Sequence, residues 1–244
     1  MNKLTFYALK TVAFLILVAG IIFGLSLLGF MIHMKNDDGV LDVSYDVCKE
    51  RIVVIDAGHG GEDGGACANG VVEKDINLAV STMLKCFFDV SGFGAVMTRS
   101  DDRLLYKSGE ENNKKRFDLL NRVAFADEYD DAVFISIHQN KFEIPKYKGL
   151  QVYYSANNPN SSVIARLIQD NTVKYIDNSN KREVKEADYR IRVLDMLEKP
   201  AVLVECGFLS NPDEALLLTD AQYQKKLAFV MYLSLIEYLN NTEI

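Results

Sequence analysis

The segment Thr11–Ile32 restricts the structure of this chain more than any other feature, because none of its 22 residues is charged. As a helix it would extend about 33 Å, which is enough to cross the hydrocarbon core of a bilayer. Lys3 and Lys10 precede it, and this favours an N-terminus in the cytoplasm. No small-x-small cleavage site follows, so residues 1–34 are predicted to be an uncleaved signal-anchor with a transmembrane helix at 11–32.

A buried core helix is the alternative for this segment, and its length and lack of a polar face argue against it. The polar stretch 35–50 is predicted to be a linker, and residues 51–241 a single domain. This topology predicts a membrane-anchored protein whose domain lies on the extracytoplasmic side. The chain carries a formal net charge of -7 and no basic run, which argues against nucleic acid as a partner.

The four cysteines, Cys48, Cys67, Cys86 and Cys206, form no C-x-x-C pair, so they do not indicate a structural zinc knuckle. Free and mostly buried thiols are the favoured interpretation. A disulfide stays open as an alternative, since the domain is predicted to be exported.

Strands and helices are predicted to alternate through the domain. Short apolar runs predict strands at 51–56, 94–98, 132–137, 150–154 and 200–204. Apolar residues at helical spacing predict helices at 73–90, 114–128, 162–175 and 213–239, the last broken near Thr219 and Asp220. This alternation predicts a three-layer α/β domain with a largely parallel twisted sheet flanked by helices.

Four acids and bases fall where predicted strands end or a helix begins. His59 follows the first strand, His138 and Glu205 directly follow the third and fifth, and Glu73 begins the first helix. The carboxyl ends of parallel strands share one edge of a sheet, so these side chains are expected to converge. Two imidazoles and one carboxylate are a full protein set for a catalytic zinc ion, and a second carboxylate would serve as general base. Spacing alone leaves open which glutamate is the ligand.

The glycine-rich stretch after the first strand has a competing interpretation as a nucleotide-binding loop. Gly58 and Gly60 would need a third glycine where Asp63 stands, and the chain has no Gly-Lys-Ser or Gly-Lys-Thr. The glycines are instead predicted to let the backbone pass close to a metal and an extended substrate. A single histidine after a strand is more often a hydrogen-bonded polar residue than a metal ligand. The prediction of a zinc site therefore depends on both histidines and both glutamates together.

Four motifs occur in order, and together they carry a family resemblance: Val54–Gly61, Glu73–Leu78, Ser136–Asn140 and Val204–Asn211. Over nearly all of 51–241 the chain resembles the zinc-dependent N-acetylmuramoyl-L-alanine amidases of the amidase-3 family. The resemblance implies a mixed six-stranded sheet flanked by helices. One departure is Gln139, where the family more often has a small residue, and it is expected to narrow the site or alter the contacts behind the ligands.

The same resemblance implies roles for the four converging residues. His59, Glu73 and His138 would bind Zn2+, and Glu205 would be the catalytic carboxylate. The reaction would be hydrolysis of the amide between the lactyl group of muramic acid and the L-alanine of the peptidoglycan stem peptide. A zinc peptidase that acts within the stem peptide, and a non-catalytic peptidoglycan-binding module, are the alternatives.

An anchor followed by one amidase catalytic domain resembles the layout of the sporulation- and germination-specific members, which trim spore-cortex peptidoglycan so that muramic lactam can form. For such a member the extracytoplasmic side is the forespore intermembrane space. No autoinhibitory insertion is identifiable, so an extracytoplasmic accessory or regulatory protein is expected. Four arginines are candidates for steering acidic groups of the substrate: Arg99, Arg116, Arg122 and Arg190. For each of them, an ordinary surface or ion-pairing role is the favoured interpretation.

Overall fold

The structure is a computed structural model that describes residues 51–241. The predicted anchor and linker lie outside these residues. Within the described range, no helix combines the length and the apolar character that a membrane crossing requires.

The strands of the described chain occur in the order β1 (Val53–Ala57), β2 (Cys67–Ala68), β3 (Val71–Val72), β4 (Ala95–Met97), β5 (Val133–Asn140), β6 (Gln151–Tyr154), β7 (Lys185–Glu186) and β8 (Ala201–Phe208). The helices are α1 (Glu73–Ser91), α2 (Lys114–Asp127), α3 (Asn160–Tyr175), α4 (Arg192–Met196), α5 (Pro212–Thr219) and α6 (Ala221–Asn241). A short 3-10 turn at Glu111–Asn113 precedes α2. The break predicted near Thr219 and Asp220 is confirmed.

Six strands form one twisted sheet in the order β4-β1-β5-β8-β6-β7, and β2 and β3 form a separate hairpin. The pairs β1–β4, β1–β5, β5–β8 and β6–β7 are parallel, and β6–β8 is antiparallel. The mixed six-stranded sheet is therefore confirmed. A helix-free loop links β5 to β6, and such a short connection favours a strand that runs back in the opposite direction.

Helices cover both faces of the sheet, which confirms the three layers. On one face, α1, α3 and α6 pack on a cluster that includes Val53, Ile135 and Val204. On the other, α2 and α4 pack on a smaller cluster that includes Val54 and Phe134. β1 is buried along its whole length because both of its faces are covered.

Two strands are longer than predicted. The apolar runs end at Ile137 and Val204, whereas β5 continues to Asn140 and β8 to Phe208. The prediction that His138 and Glu205 follow the strands is therefore wrong in detail. They lie inside the extended ends, as direct register partners, just before a register shift in the β5–β8 ladder.

Candidate active site

Three of the predicted side chains meet at the C-terminal edge of the parallel strands. The ligand atoms of His59, Glu73 and His138 all lie within 4.8 Å of one another. Glu73 Oε1 is 3.3 Å from His59 Nε2 and 2.8 Å from His138 Nδ1. The two imidazole rings meet edge to face, with centroids 4.9 Å apart. Two nitrogens and a carboxylate oxygen converging in this way could hold a metal ion.

The loop after β1 places His59 in the left-handed region, with a φ of 61°. Two glycines make this path possible, because neither site has room for a side chain. A Cβ on Gly58 would lie 2.3 Å from the His138 ring, and one on Gly65 would lie 2.5 Å from Glu73 Oε2. The backbone therefore passes against the candidate ligands themselves.

The candidate ligands are electrostatically coupled. Burial opposes ionisation of Glu73, but both imidazoles lie against it and hold its pKa far below the usual value. Burial likewise lowers the pKa of His59, but the carboxylates of Glu73 and Asp63 raise it to about 9. The Asp63 contact is made through Oδ2, 2.9 Å from His59 Nδ1. The cluster thus keeps a carboxylate ionised where a cation would bind.

Hydrogen bonds from behind fix the Glu73 carboxylate. Oε2 accepts from the backbone N–H of Ala66 (2.7 Å), and Oε1 accepts from the backbone N–H of Gln139 (3.0 Å). Asn77 Nδ2 donates to Glu73 Oε1 at 3.3 Å and to Gly58 O at 3.0 Å. Gln139 Nε2 in turn donates to Asn77 Oδ1 at 3.2 Å, so the Gln139 side chain belongs to the hydrogen-bond network behind the candidate ligand Glu73.

Glu205 lies beside this cluster with a different environment. It pairs with His138 in the parallel ladder. Its Oε2 is buried and has no hydrogen-bond partner among the described residues. Burial raises the pKa of Glu205 to about 7, with a further contribution from the charge of Glu73, although His138 and His59 act in the opposite direction. A carboxylate tuned in this way can exchange a proton near neutral pH.

A polar network under the site fixes the end of β1. Arg122 donates to Asp56 Oδ1 (2.6 Å), to Ala57 O (2.8 Å) and to His59 O (2.7 Å). Arg99 is also buried and donates to the carbonyls of Ala57 (2.8 Å) and Gly58 (3.1 Å). The ion-pairing role favoured for Arg122 is confirmed, whereas Arg99 is neither a surface nor an ion-pairing arginine because its bonds go to backbone carbonyls.

The cluster opens into a cleft of about 360 Å³, which we call the catalytic cleft. Its walls include His59, His138, Glu205, Leu119 and Arg190. Arg190 is exposed and is held by Asp188, with Nη2 2.5 Å from Oδ2.

Within residues 51–241, no thiol belongs to the candidate ligand cluster. Cys67, Cys86 and Cys206 are all free. Cys206 is buried as expected, whereas Cys67 and Cys86 are exposed, so the prediction of mostly buried thiols is wrong for these two. Cys48 lies outside the described residues.

Three polar residues around the candidate ligands are not singled out by the sequence: Asp56, Asp63 and Asn77. Asp63 and Asn77 each stand four residues after a predicted ligand, and on a helix this spacing puts Asn77 beside Glu73. That spacing was the available signal for Asn77.

Comparison with known proteins agrees with this geometry. The family model described as N-acetylmuramoyl-L-alanine amidase (Amidase_3) matches residues 53–237. The chain belongs to this amidase family. It is an enzyme with N-acetylmuramoyl-L-alanine amidase activity on peptidoglycan.

The relatives of the chain include a germination-specific amidase and amidases of known structure. The germination-specific N-acetylmuramoyl-L-alanine amidase of Bacillus subtilis (strain 168) is 33% identical over 190 residues, which are 77% of this chain and 79% of the relative. The CwlD amidase of Clostridioides difficile, solved in complex with the GerS lipoprotein, is 39% identical with a TM-score of 0.74 and covers 78% of this chain and 98% of that one. AmiC2 of Nostoc punctiforme is 29% identical with a TM-score of 0.65, over 78% and 97% of the two chains.

Proposed function

We propose that this amidase is zinc-dependent, with His59, Glu73 and His138 as the metal ligands and Glu205 as the general base. It cleaves the amide that joins the lactyl group of muramic acid to the L-alanine of the stem peptide. The observation that carries the proposal is the contrast between Glu73, which faces two imidazoles, and Glu205, whose Oε2 is buried without a partner.

The donor set fits zinc. Two imidazole nitrogens and one carboxylate oxygen lie within 4.8 Å of one another, which is the ligand set of hydrolytic zinc sites that keep a fourth position open. A bound Zn2+ would polarise the scissile carbonyl and lower the pKa of water. Asp63 beside His59 Nδ1, and Asn77 beside Glu73, orient the ligands from behind.

Glu205 would move the proton that the reaction requires. Water adds to the amide carbon as Glu205 takes one of its protons. Glu205 then returns this proton to the nitrogen as the carbon–nitrogen bond breaks. The products are a muramic lactyl carboxylate and a free amino group on L-alanine. Burial raises the pKa of the Glu205 carboxyl, which suits a group that must accept and then release a proton.

The test measures the full chain on intact peptidoglycan, with mass spectrometry of the released fragments and zinc content in parallel. We expect free amino groups on L-alanine, sugar strands without stem peptides, and about one zinc per chain. New amino groups within the stem peptide would instead show a peptidase. Peptidoglycan binding without release would show a non-catalytic module.

A role in spore cortex is the second part of the proposal. It is supported by the likeness to the germination-specific relative. Removal of stem peptides would expose the muramic lactyl group for muramic lactam formation. Loss of this chain from a spore-forming cell is expected to remove muramic lactam from cortex muropeptides. Cortex with an unchanged lactam content would contradict this role.

Location and partner complete the proposal. The uncharged segment 11–32 would anchor the chain, with the catalytic domain extracytoplasmic, in the forespore intermembrane space. The relative solved with a lipoprotein supports an accessory protein for this chain as well. Co-purification of the tagged full chain from membranes tests both ideas. Recovery in the soluble fraction would contradict the anchor, and membrane fractions that yield no co-purifying protein would contradict an accessory partner.

A further inference from the structure

A second depression lies at the same edge of the sheet as the catalytic cleft. This basic pocket, of about 280 Å³, is lined by four cations, Lys146, Lys148, Lys181 and Arg182, and by a single acid, Asp177. The excess of positive charge contrasts with the net charge of -7 for the whole chain. Within residues 51–241, none of the four cations forms an ion pair with a carboxylate. Asp177 and Glu214 offset part of the charge of Lys148, and Glu214 offsets part of the charge of Arg182, but the net excess of positive charge attracts an anion.

Arg182 is the fixed member of the basic pocket. Its Nε donates to Lys148 O at 2.7 Å, and its Nη1 donates to Gln151 Oε1 at 3.2 Å. The guanidinium carbon lies 4.4 Å from the centre of the Phe208 ring. A guanidinium has five N–H donors, so most of them stay available to a ligand. Arg182 is therefore held in place before any ligand arrives, which lowers the entropy lost on binding.

The β6–β8 ladder links Arg182 to the candidate base. Gln151, which accepts the hydrogen bond from Arg182, is the direct register partner of Glu205 in the antiparallel pair. Residues directly opposite in such a pair point to the same face, with their Cβ atoms about 4.5–5.5 Å apart. The guanidinium of Arg182 thus lies one cross-strand pair beyond the carboxylate that is proposed to act on the scissile amide.

We propose that Arg182, with Lys148 and Lys181 around it, is a carboxylate-binding subsite for the stem peptide on the alanine side of the scissile amide. This inference rests on the proposed function, because that function places the amide beside Glu205. The planar fork of an arginine binds a carboxylate through two parallel hydrogen bonds. An extended peptide spans about 3.3–3.6 Å per residue. An acidic residue one or two positions after L-alanine can therefore span the cross-strand pair that separates Glu205 from Arg182.

The test uses two muramoyl tripeptides that differ only in whether the peptide carboxyl groups are free or amidated. Binding is measured by calorimetry on the zinc-loaded full chain with Glu205→Gln, which prevents turnover. We expect the free-acid peptide to bind about ten- to a hundredfold more tightly than the amide, as for a hydrogen bond to a charged group. Adding Arg182→Gln is expected to abolish most of this preference, and Arg182→Lys to keep only part of it.

Three further variants separate the subsite from general charge effects. Arg166→Gln removes an exposed arginine of α3 that lines neither depression, and it is expected to keep the full preference. Lys148→Gln removes an unpaired cation of the basic pocket and is expected to reduce the preference without a loss of thermal stability. Arg192→Gln removes an exposed cation of the catalytic cleft. If Arg192→Gln rather than Arg182→Gln removes the preference, the subsite lies in the cleft and the proposal is overturned.

Equal binding of the two peptides by the chain that keeps Arg182, or a preference that survives Arg182→Gln, would also overturn it. Thermal unfolding of each variant shows whether it is folded, and if Arg182→Gln unfolds, Arg182→Lys and Lys148→Gln decide the result. Hydrolysis by the unmodified chain is recorded separately. A preference for the acid without hydrolysis would refute the proposed function and keep the subsite, whereas hydrolysis without a preference would do the reverse.

Discussion

Two carboxylates in the same sheet, one buried and one partly buried, differ in their surroundings. Asp56, in β1, accepts hydrogen bonds from Thr98 Oγ1 (2.7 Å), Arg122 Nη1 (2.6 Å) and Ser136 Oγ (2.6 Å). Burial opposes its ionisation, but Arg122 and the two hydroxyls hold the pKa of Asp56 below its ordinary value. Glu205, in β8, has an unpartnered Oε2 and a pKa raised by burial to about 7.

The difference separates a structural carboxylate from one that is free to react. A carboxylate with both oxygens hydrogen-bonded holds its neighbours in place and is costly to protonate. A partly buried carboxylate whose Oε2 has no partner adds little to the stability of the fold, so its presence at the edge of the site indicates chemistry. Replacing one carboxylate should therefore affect stability, and replacing the other should affect turnover.

Glu205→Gln removes the carboxylate that is proposed to react and tests its role in turnover. We expect turnover on peptidoglycan to fall about 10²–10⁴-fold, because a positioned general base contributes this much. Zinc content should be unchanged, and the free energy of unfolding unchanged or higher, because a neutral amide replaces a buried unpaired carboxylate. Glu128→Gln, at an exposed site after α2, is the matched control. Turnover equal to that of the unmodified chain would remove Glu205 from this role.

Asp56→Asn removes the charge of the hydrogen-bonded carboxylate and tests its contribution to the stability of the fold. We expect the free energy of unfolding to fall by about 3–5 kcal/mol, because the change leaves the charge of Arg122 buried with less compensation. Urea unfolding measures this. Asp89→Asn is the control, since it removes only a half-exposed pair with Lys85 on α1 and should cost less than about 0.5 kcal/mol. Equal losses of unfolding free energy in the two variants would show that the buried Asp56–Arg122 pair stabilises the fold no more than the exposed pair does.

The sequence was sufficient for the main elements of the fold. β1 and α1 are predictable because one is a β-branched run that ends at Gly58 and the other repeats apolar residues at helical spacing. The extended ends of β5 and β8 cannot be predicted in this way. Polar residues such as His138 and Glu205 end the apolar pattern there, while the hydrogen-bonded ladder continues. The two-residue strands β2, β3 and β7 are too short to show any periodicity.

The convergence of the candidate residues could be predicted from the sequence, whereas the contacts that hold them depend on tertiary packing and could not. His59, Glu73, His138 and Glu205 stand at strand ends or a helix start, and all four come to one edge. Arg122 lies 66 residues after Asp56, so their pairing depends on how α2 packs on the sheet. No local pattern encodes a contact of this kind.

Asn77→Ala tests Glu73, a carboxylate whose surroundings are intermediate between those of Asp56 and Glu205. Glu73 is held by donors, as Asp56 is, yet it faces the candidate metal position, as Glu205 does. Removing the Asn77 amide should lower zinc affinity about 10–100-fold, because groups that orient a ligand have effects of this size. Competition with a chromogenic chelator measures it, with Thr82→Ala on the exposed side of α1 as control. Unchanged affinity would show that Ala66 and Gln139 suffice.

Acid titration sharpens the comparison further. The pKa of Asp56 is lowered in the folded chain from 3.8, so its contribution to stability is present above that value and is lost as pH falls through the folded pKa. The difference in unfolding free energy between the unmodified chain and Asp56→Asn should therefore narrow as pH falls from about 5 to about 2. Urea unfolding across this range measures it, and a constant difference would mean that the Asp56 charge is not what Arg122 stabilises.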